Sequence, residues 1–171
     1  MKNYIYIFFL LITSLLFSQE KNVFDIARFG TVMEMESIIK SNKNVINTVD
    51  ENGFSPLILA TYINNEAIVV FLVKKIKDIN YNTISGTALT AASYKGFTKI
   101  VEILLKNNAN PNIADAKGTT PLIYATISEN IDIIKLLIAY KVNKTHKDQK
   151  GNSALEYALF GNNEKLINLL K

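Results

Sequence analysis

The sequence contains no cysteine and a single histidine, and it lacks both a glycine cluster and a dense patch of one charge. Without cysteine there are no disulfides, no thiolate nucleophile and no cysteine-ligated zinc. The absence fits oxidising and reducing surroundings equally well. One histidine, His146, stands in a polar stretch beside Lys147 and Asp148, with no serine arrangement pointing to it. It reads as a solvated loop residue rather than a general base. No histidine and carboxylate spacing matches a metal site, so neither metal nor cofactor is expected. The seven glycines occur singly, which excludes a phosphate-cradling loop. A net charge of +4 is carried by scattered lysines, not by a basic stripe of the kind that marks nucleic-acid binders. The chain is therefore expected to be non-catalytic and to bind no nucleic acid.

Charge is also missing from Tyr4 to Phe17, after the single cation Lys2 and before Ser18 and the polar Gln19-Glu20-Lys21. A charged start, a short apolar run and a small residue at the exit form the pattern of a secretory signal peptide over residues 1–18. The run is shorter than the roughly 20 residues that span a bilayer as a helix. An uncleaved anchor and a hydrophobic first helix of the fold are the alternative readings. Leu16 is larger than ideal at its place and leaves the cut imprecise. Cleavage predicts a periplasmic or secreted chain of net charge +3, monomeric and not attached to the membrane.

The remainder of the chain repeats. Aligned on Phe24, Leu57, Leu89, Leu122 and Leu155, it gives intervals of 33, 32, 33 and 33 residues. Three places on, every unit has alanine: Ala27, Ala60, Ala92, Ala125 and Ala158. Eleven places on stand Met35, Ile68, Ile100, Ile133 and Leu166; fifteen places on stand Ile39, Leu72, Leu104, Leu137 and Leu170. Gly53, Gly86, Gly118 and Gly151 open the later units. Each unit reads as two apolar helical segments of about ten residues followed by a loop rich in Asn, Asp and Gly. Pro56 and Pro121 stand where a first helical turn begins, and Ser55, Thr120 and Ser153 precede it as caps. A unit this small cannot bury its own apolar face, so it must stack on neighbours.

These units resemble ankyrin repeats. The motifs that carry the likeness are TTPLIYA at Thr119 to Ala125, FSPLILA at Phe54 to Ala60, and IVEILLKNNANPN at Ile100 to Asn112, with hairpin aspartates at Asp50, Asp115 and Asp148. The resemblance implies an all-α solenoid of about five helix-turn-helix units joined by hairpin loops, over residues 19–171. The units run at about 20–52, 53–85, 86–117, 118–150 and 151–171. Three departures stand out. The family's histidine after the first leucine is replaced by Asp25, Ile58, Thr90, Ile123 and Glu156, which predicts less firmly tied loops. The second unit is one residue short, placed near Asn80 to Asn82, so its hairpin at Thr83 to Gly86 is expected to be distorted. The first unit has no helix-start motif. Glu164, Lys165, Asn168 and Lys171 are expected to give the last unit a polar outer face.

The resemblance further implies that an unidentified partner protein lies along a concave face made of hairpin tips and first helices. Five places after each anchor the chain has Phe29, Tyr62, Tyr94, Ile127 and Phe160. Such a column either packs between successive first helices or forms an aromatic stripe for a partner, a role that interfaces favour for Tyr and Phe. Both readings are open at this point. At the hairpin tips, Phe54 is the large apolar candidate for contact, with Lys117 and Lys150 as polar ones. Lys74, Lys75 and Lys77 are accounted for by the C-terminal end of a helix, where each cation gains roughly 0.3–1 kcal/mol from the dipole. Two functions follow: an exported module that binds a partner, or an inhibitor or immunity-type protein that covers a toxin or hydrolase.

Overall fold

The computed structural model describes residues 21–171; the signal segment read in residues 1–18 lies outside them. Among the described residues there are ten α-helices in five pairs and no strand beyond one isolated bridge. The first helices of the pairs are α1 (Val23–Phe29), α3 (Pro56–Tyr62), α5 (Ala88–Lys95), α7 (Pro121–Ile127) and α9 (Ala154–Phe160). The second helices are α2 (Val32–Ser41), α4 (Glu66–Leu72), α6 (Thr98–Lys106), α8 (Ile131–Ala139) and α10 (Glu164–Leu170). Each first helix packs on the first helix of the next unit, which makes an inner layer; α2, α4, α6 and α8 stack in the same way as an outer layer.

None of these helices exceeds ten residues, too short to persist alone in water. Their ends are set by side chains. Ser55, Thr87, Thr120 and Ser153 cap α3, α5, α7 and α9, and proline opens α3 and α7. Thr31, Asn65, Asn130 and Asn163 cap the second helices α2, α4, α8 and α10; only α6 starts without a side-chain cap, at Phe97. The first unit does have a helix start: Asn22 accepts from the amides of Phe24 and Asp25. Asparagine in place of the serine or threonine of later units hid it.

The recurrent alanine serves twice. Its methyl is buried in all five units, and in four its carbonyl accepts the amide of the residue that opens the second helix: Asn65, Phe97, Asn130 and Asn163 bond Ala60, Ala92, Ala125 and Ala158. In the first unit the Asn65 side chain reaches back from the neighbouring unit to the carbonyls of Ala27, Arg28 and Gly30. The apolar columns form one core. Met35, Ile68, Ile100 and Ile133 are fully buried, as are Leu72, Leu104 and Leu137. Ile39 and the end anchors Phe24 and Leu155 are half-buried, because a terminal unit has a neighbour on one side only. Glu164, Lys165, Asn168 and Lys171 are exposed as expected.

The expectation of loose loops is overturned. Each hairpin aspartate accepts two backbone amides: Asp50 from Asn52 and Phe54, Asp115 from Lys117 and Thr119, Asp148 from Lys150 and Asn152. Neighbouring hairpins then bond each other through Ala116 N–H to Ile84 O and Gln149 N–H to Lys117 O. His146 is not simply solvated: its Nε2 donates to the Gly118 carbonyl at 2.8 Å, one hairpin away. Behind them, Asn47, Asn80 and Asn112 each accept a backbone amide from the following unit.

The short unit also differs from expectation. Gly53, Gly118 and Gly151 precede their anchor leucines by four residues, Gly86 by three. The missing residue therefore lies after Gly86, not near Asn80 to Asn82. The hairpin survives as a tighter one: Thr83 and Gly86 exchange both backbone hydrogen bonds, at 3.2 and 3.0 Å. Thr83 Oγ1 replaces the aspartate by accepting the Ser85 amide.

Within the inner layer the hydroxyls of Thr61 and Ser93 are buried without a hydrogen-bond partner. A buried polar group left unpaired is destabilising, and alanine is the better helix former. Ser93→Ala is expected to raise the unfolding free energy by about 1 kcal/mol, read as a higher urea midpoint at unchanged slope.

Candidate functional site

The fifth column points away from the core. On a helix the recurrent alanine and the anchor share one arc, and the position five after the anchor falls on the opposite side. Accordingly Phe29, Tyr62, Tyr94, Ile127 and Phe160 are all exposed, from 47% for Tyr62 to 71% for Phe29. They are not buried between the first helices.

Between the hairpin tips and the middle first helices lies a groove of about 870 Å³. It brings together Phe54, Tyr62, Tyr94 and Lys117 from the sequence-derived set; Phe29, Ile127, Lys150 and Phe160 lie beyond its lining, along the same inner face. Phe54 corrects one expectation. It is half-buried against the core and lines the groove rather than forming a protruding tip. The protruding apolar residue is Ile84, 84% exposed, in the turn tightened by the missing residue. Its place between Thr83 and Gly86 was the available signal.

Electrostatics come from residues the column alone did not mark. Lys95, the last residue of α5, holds its ammonium 4.1 Å from the centre of the Tyr62 ring, a cation–π contact between adjacent units. Arg28 is paired to Asp50 and Asp25. Tyr94 meets Tyr124 edge-on, centroids 5.4 Å apart. The Tyr124 hydroxyl donates to Asp115 Oδ2 at 2.7 Å, and Tyr157 repeats this with Asp148 at 2.6 Å. Burial, then the Asp115 hydrogen bond and charge, push the Tyr124 hydroxyl up to about 12, so it stays a protonated donor. Burial would raise the Asp148 carboxyl, but the Tyr157 hydroxyl and the amides of Asn152 and Lys150 hold it below the usual carboxylate range. These tyrosines brace the hairpins of Asp115 and Asp148. At the other end of the second unit, Lys75 lies 4.9 Å from the Phe71 ring, just past the end of α4.

Among the described residues no cluster of three metal-ligating side chains occurs, and no helix is long and apolar enough to cross a membrane. The groove offers area, aromatic faces and cations.

Comparison with known proteins agrees with the geometry. A family model described as ankyrin repeats in three copies matches residues 23–115 and 106–171. Ankyrin repeat and SOCS box protein 3 of Bos taurus is 34% identical over 100 residues, covering 56% of this chain and 19% of that protein. Ankyrin repeat, SAM and basic leucine zipper domain-containing protein 1 of Notamacropus eugenii is 34% identical over 101 residues, covering 56% of this chain and 21% of that protein. Palmitoyltransferase AKR1 of Candida glabrata is 40% identical over 86 residues, covering 47% of this chain and 11% of the enzyme. The chain thus spans about a fifth or less of the length of these curated relatives. Two family matches that together cover residues 23–171, on a stack of five helix pairs with the family's hairpins, make this chain a member of the ankyrin repeat family.

Proposed function

We propose that this chain is an exported, non-catalytic binding module that holds a partner protein against its inner, concave face. The observation that carries the reading is the exposed column Phe29, Tyr62, Tyr94, Ile127 and Phe160, aligned across five stacked units. A soluble protein gains nothing for its own stability from large apolar side chains left in water in register; contiguous patches of this kind mark interaction surfaces. Tyrosine and phenylalanine cover large areas with few rotatable bonds, and repeat stacks present them along an extended face. Export rests on the segment from Lys2 to Ser18 and gives a periplasmic or secreted protein with no cofactor.

The test is recovery of a partner from the periplasmic or secreted fraction with wild-type protein and with the Tyr62→Ala/Tyr94→Ala double variant. Both side chains are half-exposed, so the double variant is expected to fold normally by circular dichroism. Loss of two central aromatic anchors is expected to cost about 2 kcal/mol or more, roughly a 30-fold weaker complex. Equal retention by the two proteins would place the binding face elsewhere.

A further inference from the structure

We propose that the segment bound in this groove is acidic and extended. Its carboxylates pair with Lys95 and Lys117 on either side of an apolar side chain held between Tyr62 and Tyr94. This rests on the groove being the binding face, and it adds the partner's chemistry.

The inference comes from which charges near the groove are already answered. Arg28 is held by Asp25 and Asp50. Asp115, the one carboxylate lining the groove, accepts two backbone amides and the Tyr124 hydroxyl. Apart from Lys117, the other polar lining residues, among them Asn52, Thr83 and Ser85, are neutral. Among the described residues six ion pairs form, and none includes Lys95, Lys117 or Lys150. Lys117, in the groove lining, and Lys95, against the ring of the groove's Tyr62, are thus both left without a carboxylate, and Lys150 continues the same sign at the next hairpin tip.

Lys95 is also pre-positioned. Its contact with the Tyr62 ring fixes the ammonium beside the apolar slot, which lowers the entropy lost on pairing. A nucleic acid strand would stack on the same rings, but its affinity depends on many phosphate contacts along a basic track. Two lysines and a third one tip away do not make such a track. A protein segment needs no more than a local match, so it is the occupant the surface favours.

The test is selection of a displayed library of random linear peptides on the full chain. The recovered peptides are then titrated against wild type, Lys95→Glu/Lys117→Glu and Tyr62→Ala/Tyr94→Ala, with a poly-dT oligonucleotide in parallel. The expected result is peptides enriched in Asp and Glu beside an aromatic or aliphatic residue. Their affinity should fall at least tenfold with either double variant and should weaken steadily with added salt. Lysine-for-acid versions of the same peptides should bind the Lys95→Glu/Lys117→Glu protein better than wild type. Neutral or basic peptides that still depend on Tyr62 and Tyr94 would keep the groove and overturn the acidic partner, as would recovery of no acidic peptide. Peptides indifferent to the two tyrosines would remove the groove itself. Tighter binding of poly-dT than of any peptide, with the same lysine dependence, would overturn the proposal in favour of a nucleic acid.

Discussion

Leu104→Ala and Leu137→Ala are each expected to lower the unfolding free energy by about 2–5 kcal/mol, towards the upper end of that range. Both side chains are fully buried, in α6 and α8, the adjacent helices of the outer layer. Truncation removes the transfer energy of the lost methyl groups and leaves a cavity lined by helices that cannot close on it. Neighbouring units are fixed to each other by hairpin and asparagine hydrogen bonds, so collapse of the cavity would strain those contacts. Position decides the magnitude. Ile39 occupies the same column in the first unit but is half-buried, with a neighbour on one side, and Ile39→Ala is expected to cost less than half as much. In a linear stack, stability is a sum of unit and interface terms. A hole in the middle therefore weakens two interfaces, and the melting curve should broaden as the halves separate in cooperativity. Urea titrations of the three variants would decide this. A near-wild-type midpoint for Leu104→Ala would contradict the stacking register.

The same contrast explains what the sequence could and could not reveal. The alanine column and the positions eleven and fifteen after each anchor were legible because burial in a stack recurs with the unit, and almost every such residue is buried. The helix starts were legible at Ser55, Thr120 and Ser153, were missed at Thr87, where the shortened segment hid the pattern, and were illegible at Asn22, where asparagine does the same work. Exposure of the fifth column is implicit in helical geometry. Whether the next first helix covered it depended on how the units sit together, which no single unit encodes. The hairpins were misjudged because, beyond the local aspartate bonds, part of their stiffness comes from partners outside the turn. His146 reaches Gly118, Tyr124 reaches Asp115, and Tyr81 donates to the carbonyl of Gly53. The approach of Lys95 to the groove's Tyr62 was invisible for the same reason: it is a contact between units.

Gly86→Ala is the second change expected to have a large effect, about 2–5 kcal/mol, and its cost has two separable parts. Gly86 has φ +95, a conformation that strains any residue with a Cβ by roughly 1–3 kcal/mol. A Cβ there would also lie 2.6 Å from Thr90 Cγ2 and 2.7 Å from Thr90 Cβ. Thr90 cannot swing away: it is buried, and its hydroxyl pairs with that of Thr87 at 3.2 Å. Overpacking of this kind adds about 1–3 kcal/mol. The crowding follows from the residue missing between Gly86 and Leu89, which sets the hairpin directly on the first turn of α5. Gly53 is the control. Its φ is +79, but a Cβ there would meet nothing within 4 Å, so Gly53→Ala should show the backbone cost alone, about 1–2 kcal/mol. The excess for Gly86 over Gly53 measures the crowding, and adding Thr90→Ser to Gly86→Ala should recover part of that excess by removing Cγ2. Gly86, Thr87 and Thr90 line the groove beside Tyr94, and the turn they hold presents Ile84. The same variant should therefore weaken partner binding as well as folding, whereas Gly53→Ala should leave the Ile84 turn in place. If Gly86→Ala melted no lower than Gly53→Ala, the tight placement of this hairpin on α5 would be wrong.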